Sequence, residues 1–299
     1  MESNMDLMQL EWWQNQRNDS AGQPLQAFPS MEPYVIRPME FKAWVRHRYL
    51  VPIESAGLVC DCAAKPTLDR YGLHLSSGCN KGSCRSNIHD ALVLELQNLL
   101  KYSGYWTKHE QRGLFKDADV NNNHRPDITI NNPANLGYGE HTSKVIIDVA
   151  FTCVLDGVAD GQLRSPQTRT AALTTGTKAN KYYTRKINKY QELLNKMSPG
   201  FNPENLHVVP FIVQSTGFLH GKALDLLDKI AASASCIKKI PHGNLMTYFK
   251  RRLACCLAKN LAASINSRSF SVISHSNILR DRSFGDVAIM EQQGWVREE

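Results

Sequence analysis

Two aspartates occupy positions where a carboxylate has to cap a turn or bind a cation. Asp127 lies within the stretch NNNHRPDITI, directly before a short β-branched run. Asp148 lies in the middle of the apolar stretch KVIIDVAF, where an unpaired buried carboxylate is unfavourable, so we expect a metal ion or a lysine beside it. A short turn between the two strands would bring both carboxylates to one end, and Glu110 in the preceding strand is a candidate third ligand. For Asp127, turn capping stays the alternative.

A lysine-rich helix follows the second aspartate, and its apolar residues form one stripe at helical spacing. The stripe consists of Ala179, Tyr183, Ile187, Tyr190, Leu194 and Met197. Lys186 falls about 50° from the centre of the stripe, which predicts that it leans toward the sheet. Lys189, three residues further on, is placed to approach the same end of the site. The alternative is a solvated face, which we favour for the cations on the far side: Lys178, Lys181 and Arg185.

A second group of residues has the spacing of a metal site. Its members are Cys60, Cys62, His74 and Cys79, a C-x-C pair followed after eleven residues by H-x4-C. Three thiolates and an imidazole hold zinc at about 2.0 to 2.3 Å and leave no open position, which defines a structural site. We therefore predict a zinc knuckle. The alternative is a set of buried, metal-free thiols, because C-x-C is tighter than the usual C-x2-C; Cys84 and His89 are candidate substitutes for one ligand.

The elements that position these residues follow from the periodicity of the apolar residues and from the turn residues between them. Helices are predicted over 38–50, 86–104, 178–197, 221–232 and 248–268, and strands over 105–111, 127–130, 144–154 and 207–214. In the third strand, Val145, Ile147, Val149 and Phe151 alternate onto a core face. Asp148 lies on the other face of that strand. Trp106, in the first strand, is predicted to be a core residue more readily than a nucleic-acid contact.

Composition limits the class of protein. The chain has 299 residues, of which 42% are hydrophobic, so it has enough apolar material for a sizeable core and is not disordered throughout. No apolar stretch is long enough to span a bilayer, and the first residues lack the pattern of a signal peptide. We expect an intracellular protein, nuclear or cytoplasmic. The formal charge of +7 favours a polyanionic partner, and the alternative that fits an excess of this size is a basic soluble enzyme of any kind.

The order of these motifs resembles a known enzyme superfamily. HRPDI, then VIIDVAFT, then KINKY on the following helix, then a strand and a helix, resembles the PD-(D/E)XK nucleases. The upstream block, C-x-C followed by GLHLSSGC and IHDAL, is similar to the zinc-knuckle and restriction-like endonuclease region behind the reverse transcriptases of non-LTR retroelements. The resemblance covers about residues 40 to 265. It implies an α/β (α+β) fold in which a helix and a mixed central sheet are flanked by helices, with an N-terminal knuckle and a C-terminal helical tail.

The resemblance also implies roles for individual residues. Asp127 and Asp148 would bind the catalytic Mg²⁺ or Mn²⁺, and Lys186 and Lys189 would inherit the role of the superfamily lysine, whose usual position here is Ala150. The implied partner is DNA or RNA, and the implied reaction is phosphodiester hydrolysis of DNA. The alternative is a catalytically inactive nucleic-acid-binding protein derived from such a nuclease. Two departures from the family stand out: the polymerase motif is absent, and the family's Arg-His pair is Arg85-Ser86.

These predictions divide the chain into five parts. They are a loosely ordered leader over 1–40, a helix and zinc-knuckle segment over 41–85, a nuclease core over 86–233, a helical extension over 234–270 and a tail over 271–299.

Overall fold

The computed structural model describes most of the chain. The described residues are 5–27, 34–79, 81, 84–119, 124–133, 136–139, 141–155, 168–197, 202 and 205–292, without the side chains of 77, 78 and 278–292. The helices are α1 (Leu7–Gln16), α2 (Pro38–Arg48), α3 (Cys84–Tyr102), α4 (Arg169–Leu173), α5 (Thr177–Asn195), α6 (Gly221–Lys238) and α7 (His242–Gln292). The strands are β1 (Thr107–His109), β2 (Ile128–Asn131), β3 (Lys144–Thr152) and β4 (Leu206–Gln214).

The four strands form one mixed sheet in the order β1-β2-β3-β4. β2 pairs antiparallel with both β1 and β3, whereas β3 and β4 are parallel and paired from Lys144–Leu206 to Thr152–Gln214. A parallel pair requires a crossover connection, and α5 lies in that connection. The coarse prediction of a mixed α/β (α+β) chain is confirmed.

The two faces of β3 pack against different helices, as its alternation predicts. Val145, Ile147, Val149 and Phe151 lie in the main core with residues of α3, α6 and α7. On the other face, Ile146 packs against Tyr190 of α5, and Ala150 packs against Ala179 at the start of the same helix. Asp148 lies between Ile146 and Ala150 on this second face, so α5 covers the strand at the point where the carboxylate projects.

The structure corrects the prediction of a loosely ordered leader over residues 1–40 for the described residues 5–27 and 34–40; residues 1–4 and 28–33 lie outside the described part of the chain. Asp6 begins α1 with a capping box, in which Gln9 N–H donates to the Asp6 carboxylate at 2.7 Å. Trp12 is buried, and its Nε1 donates to the carbonyl oxygen of Arg48 at 2.8 Å. The asparagine and glutamine content of the segment favoured disorder, but one tryptophan that docks on α2 fixes this helix in the fold.

β1 is an edge strand, and this position corrects the prediction for Trp106. Tyr105 is buried on the side of the main core, whereas Trp106 points away from it and is 72% exposed. β1 pairs with β2 on one side only. Trp106 directly precedes β1, and none of the elements in the described part of the chain covers its side chain at this edge.

α7 continues through the boundary predicted between the extension and the tail. No glycine or proline interrupts residues 244–284, so the sequence has no strong helix breaker at position 271. α7 packs on α3, where the Arg252 guanidinium makes an ion pair with Glu95. None of the described helices combines the length and the apolar character needed to cross a bilayer.

Candidate active site and metal centre

Asp127 and Asp148 lie side by side on adjacent strands. Ile128 pairs with Ile147 in the antiparallel β2–β3 ladder, and the two aspartates are one step beyond that pair. Asp148 is only 5% exposed. The Asp127 carboxylate reaches β3, where its Oδ2 accepts a hydrogen bond of 2.7 Å from Val149 N–H. The sheet itself therefore brings the two carboxylates together.

Lys186 supplies the cation beside Asp148. Its Nζ donates to Asp148 Oδ1 at 2.6 Å and lies 3.5 Å from the carbonyl oxygen of Val149. The apolar stripe of α5 packs on the sheet, and Lys186 borders that stripe, so its side chain reaches the carboxylate as the helical spacing predicts. Lys189 is exposed, with its Nζ 5.6 Å from the centre of the Tyr190 ring. It acts on Asp148 through its charge and makes no contact with that carboxylate.

Each aspartate has one carboxylate oxygen without a hydrogen-bond partner among the described residues, although the Tyr190 hydroxyl, whose pKa burial raises, also lies close enough to Asp148 for that carboxylate to raise the Tyr190 pKa further. Asp148 Oδ2 is buried and has no hydrogen-bond partner among the described residues. Asp127 contacts His89 and Val149 through Oδ2 in both cases. Its Oδ1 makes no hydrogen bond with any of the described residues. A hard divalent cation takes oxygen ligands. The donor set therefore fits Mg²⁺ or Mn²⁺ bound between the two strands.

Burial and charge affect the two aspartates in opposite directions. Burial raises the pKa of Asp148, and the neighbouring charge of Asp127 adds to this increase, while Lys186 opposes it. Burial also disfavours ionised Asp127, but the hydrogen bonds from His89 and Val149, with the charge of Lys186, lower its pKa overall. Asp127 is thus the firmly ionised member of the pair, and a cation at the site would favour ionised Asp148.

His89 is the site residue that the sequence assigned elsewhere. It was a candidate substitute ligand for zinc, whereas in the structure its Nε2 lies 3.3 Å from Asp127 Oδ2 and its Nδ1 lies 2.9 Å from Asp90 Oδ1. The hydrogen bond to Asp127 raises the pKa of His89 to about 9, so the imidazole is protonated at neutral pH. The available signal was its spacing from Arg85, which places both residues on one face of α3.

An open cleft of about 320 Å³ lies beside the carboxylates. Its lining comes from α3, β3 and α5 and includes Arg85, His89 and Lys186. Arg85 donates to the carbonyl oxygen of Phe151 at 3.4 Å and to the Tyr182 hydroxyl at 3.2 Å, so its guanidinium is fixed at the wall of the cleft. Three cationic side chains around an open space suit an anionic group such as a phosphodiester.

Glu110 lies next to Asp127 but does not join the two aspartates. Its N–H donates to the carbonyl oxygen of Asp127 at 3.1 Å, directly after β1, and its side chain is exposed. Within the described ranges, only one group of three or more Cys, His, Asp or Glu residues has its ligand atoms within 4.8 Å of one another. That group is the cysteine cluster, which consists of Cys60, Cys62, His74 and Cys79 and does not include Glu110. The role of Glu110 as a third ligand stays a prediction.

The predicted zinc ligands form that cluster. It contains Cys60, Cys62, His74 and Cys79, all buried. The Sγ atoms of Cys60 and Cys79 are 3.8 Å apart, and Cys62 Sγ is 3.6 Å from His74 Nε2. A tetrahedron with Zn–S and Zn–N bonds of normal length has edges of about 3.8 Å between sulfurs and about 3.6 Å between sulfur and nitrogen. The cluster can therefore bind a metal such as zinc.

Two aspartates hold the cluster in place. Asp69 accepts backbone hydrogen bonds from Tyr71, Leu73 and His74 at 2.8 to 3.0 Å, which fixes the turn that carries the histidine. Asp61, between the first two cysteines, pairs with Lys81 and with Arg268 of α7. The same guanidinium lies 3.7 Å from Cys60 Sγ, where its positive charge opposes the burial that raises the pKa of this thiol to about 11. Cys84 is buried but lies outside the group of four.

Comparison with known proteins finds no match to this sequence among protein-family models or among curated proteins. The relationship to PD-(D/E)XK nucleases therefore stays a prediction.

Proposed function

We propose that this chain is a metal-dependent endonuclease that hydrolyses phosphodiester bonds of DNA. The proposed fold is a PD-(D/E)XK restriction endonuclease-like core, related to the endonuclease region of non-LTR retroelements. One observation carries the proposal: Lys186 contacts Asp148 in mid-strand, beside Asp127 of the neighbouring strand and at the wall of an open cleft. The order α3, three antiparallel strands, α5 and a parallel β4 supports it further.

Asp127 and Asp148 would hold the catalytic Mg²⁺ or Mn²⁺ through their free oxygens. Such an ion, when bound, polarises the phosphate and lowers the pKa of a coordinated water. Lys186 is about a quarter exposed, so its ammonium group faces both the buried carboxylate and the cleft. In that position it orients the attacking water or offsets the charge that develops on the phosphate oxygens. His89 holds Asp127 in place, and Lys189 adds positive charge at the rim.

The charge of α5 supports a nucleic acid as the substrate. Lys181, Arg185 and Lys189 are exposed and follow one another at intervals of four residues, so they form a line along the helix that ends beside the two aspartates. Cations in such a line contact successive phosphates without reading sequence. The cysteine cluster contributes in a different way, as a proposed structural zinc site that fixes the segment before α3.

The test is cleavage of supercoiled plasmid by the purified chain. We expect nicked or linear product with Mg²⁺ or Mn²⁺ and none with EDTA. Asp127→Asn and Asp148→Asn should each abolish cleavage while DNA binding survives, because each removes a charged oxygen ligand and leaves the shape of the side chain unchanged. Lys178→Ala, at the start of α5 and outside this line of exposed cations, is the matched control and should keep most of the activity.

A nucleic-acid-binding protein without catalysis is the second candidate, and one observation favours it. Lys186 and His89 already neutralise both aspartates, so the site is electrostatically complete without a metal ion. Under this alternative the protein binds DNA but cleaves neither DNA nor RNA with any divalent ion. Activity that persists undiminished in both aspartate variants would also refute the proposed site.

A further inference from the structure

Trp106 and Lys108 form an exposed aromatic and cationic pair at the edge of the sheet. Trp106 is 72% exposed, and Lys108 Nζ lies 5.9 Å from the centre of its ring. A single exposed apolar residue is ordinary on a protein surface, so exposure alone identifies no function. The pair also lies on the face of the candidate active site and among other exposed cations, and these two features indicate a role in binding.

The pair lies on the same face of the sheet as the candidate active site. Lys108 pairs with Thr129, which is two residues from Asp127 on the same face of β2. At about 3.4 Å per residue, Lys108 is displaced from Asp127 by roughly 7 Å along the strand, and Trp106 by roughly 14 Å. These displacements correspond to about two and four nucleotide steps of 3.4 Å. A nucleic-acid strand whose scissile phosphate lies at the carboxylates can therefore place a nucleotide about four steps away at Trp106.

The surrounding charge complements a nucleic-acid strand. Residues 101–117 contain four exposed cations and two exposed carboxylates, Glu110 and Asp117. The four cations are Lys101, Lys108, Arg112 and Lys116. A segment with this excess of positive charge attracts phosphates, and an exposed indole offers the flat surface on which a base stacks. A lysine beside the ring is placed to contact the phosphate of the stacked nucleotide.

We infer that Trp106 and Lys108 form a stacking platform for an unpaired base of the nucleic-acid substrate. This inference rests on the proposed function and restricts the range of substrates of the proposed nuclease. A base inside a continuous duplex already stacks on both of its neighbours, so an unpaired base lies on Trp106 without the cost of unstacking a duplex step. The preferred substrate is therefore DNA with unpaired nucleotides a few steps from the scissile phosphate, such as a flap or a gap, rather than a continuous duplex.

Binding of oligothymidine to the full-length protein in EDTA tests the platform without requiring cleavage. We expect tryptophan fluorescence to fall on binding and Trp106→Ala to weaken the affinity by roughly 5- to 150-fold, the range for loss of one stacked base. Trp106→Phe should keep most of the affinity but lose most of the quenching. Lys108→Ala should lower the salt slope by about 0.7, the contribution of one phosphate of a single strand. Phe270→Ala removes an aromatic side chain that is 73% exposed on α7 and is the matched control.

The outcomes separate this inference from the proposed function. Equal affinity of Trp106→Ala and the unmodified protein for oligothymidine would overturn the platform, even if the protein cleaves plasmid. Quenching that is lost in Trp106→Phe would support it, even if no cleavage occurs in any metal. Where cleavage occurs, Trp106→Ala should slow the cleavage of flapped DNA more than that of continuous duplex. If Trp106→Ala instead changes the molecular mass in light scattering and leaves binding unchanged, the exposed edge joins two copies of the chain and the platform is excluded.

Discussion

Replacing Lys186 with methionine removes the cation from a carboxylate that the fold keeps buried. Asp148 is 5% exposed, and its Oδ2 already lacks a hydrogen-bond partner among the described residues. Removing one partner of a buried ion pair costs about 3 to 5 kcal/mol. The ammonium group of Lys186 is partly exposed, which places the expected loss near about 3 kcal/mol, or roughly 6 to 12 °C in Tm.

The loss should depend on pH in a defined direction. Burial holds the pKa of Asp148 above its ordinary value of 3.8, and removal of the Lys186 charge raises it further. Between 3.8 and the raised pKa, the folded state keeps a proton that the unfolded state has released, so stability falls as pH rises. Lys186→Met should therefore resemble the unmodified protein most closely near pH 4 and differ from it most at neutral pH.

Urea unfolding in EDTA, followed by circular dichroism at several pH values, measures this effect through the unfolding midpoint. Lys186→Met/Asp148→Asn lacks the Asp148 carboxylate that Lys186→Met leaves without its cation, so its stability should exceed that of Lys186→Met at pH 7 by more than about 1 kcal/mol. Lys181→Met, on the exposed face of the same helix, is the matched control and should change stability by less than about 0.5 kcal/mol. The argument fails if Lys186→Met has the same deficit at pH 4 and pH 7, or if the double variant is no more stable than the single one.

Three further predictions concern the metal sites and the histidine. Freshly purified, reduced protein should contain about one equivalent of zinc, and Cys62→Ser or His74→Asn should lose both the metal and several degrees of thermal stability, because structural zinc contributes folding free energy. Absence of zinc by elemental analysis would contradict this site. His89→Gln keeps a hydrogen-bond donor beside Asp127 Oδ2 without the imidazolium charge, whereas His89→Ala removes both, so Mn²⁺ should bind His89→Ala about 10-fold more weakly than His89→Gln in calorimetry; equal affinity of both variants would remove the positioning role. In EDTA, the His89–Asp127 pair should stabilise the fold below pH 6.5 and lose its contribution as pH rises through about 9, and a His89→Ala protein that keeps the same pH slope would contradict the pair.

The sequence determined those features that follow from regular spacing within one element. The alternation in β3 placed Asp148 on the face opposite the main core, and the stripe on α5 placed Lys186 toward the sheet. Both results depend on the fixed periods of a strand and a helix, which the residue pattern shows directly. The four residues of the cysteine cluster were also identified from the sequence, because the ligand types and their short spacings limit which residues can meet around one ion.

Tertiary structure alone decided which residues meet across elements and which faces stay uncovered. His89 is close in sequence to the cysteine cluster, yet the packing of α3 on the sheet carries it to Asp127, 38 positions away. Arg268 contacts Asp61, 207 positions away, because α7 packs against the segment that carries the cysteine cluster. Trp106 has the residue type of a core position, but it directly precedes the edge strand β1, where none of the described elements covers its side chain. Local periods fix the direction of a side chain within its own element, whereas its neighbours depend on how the elements pack.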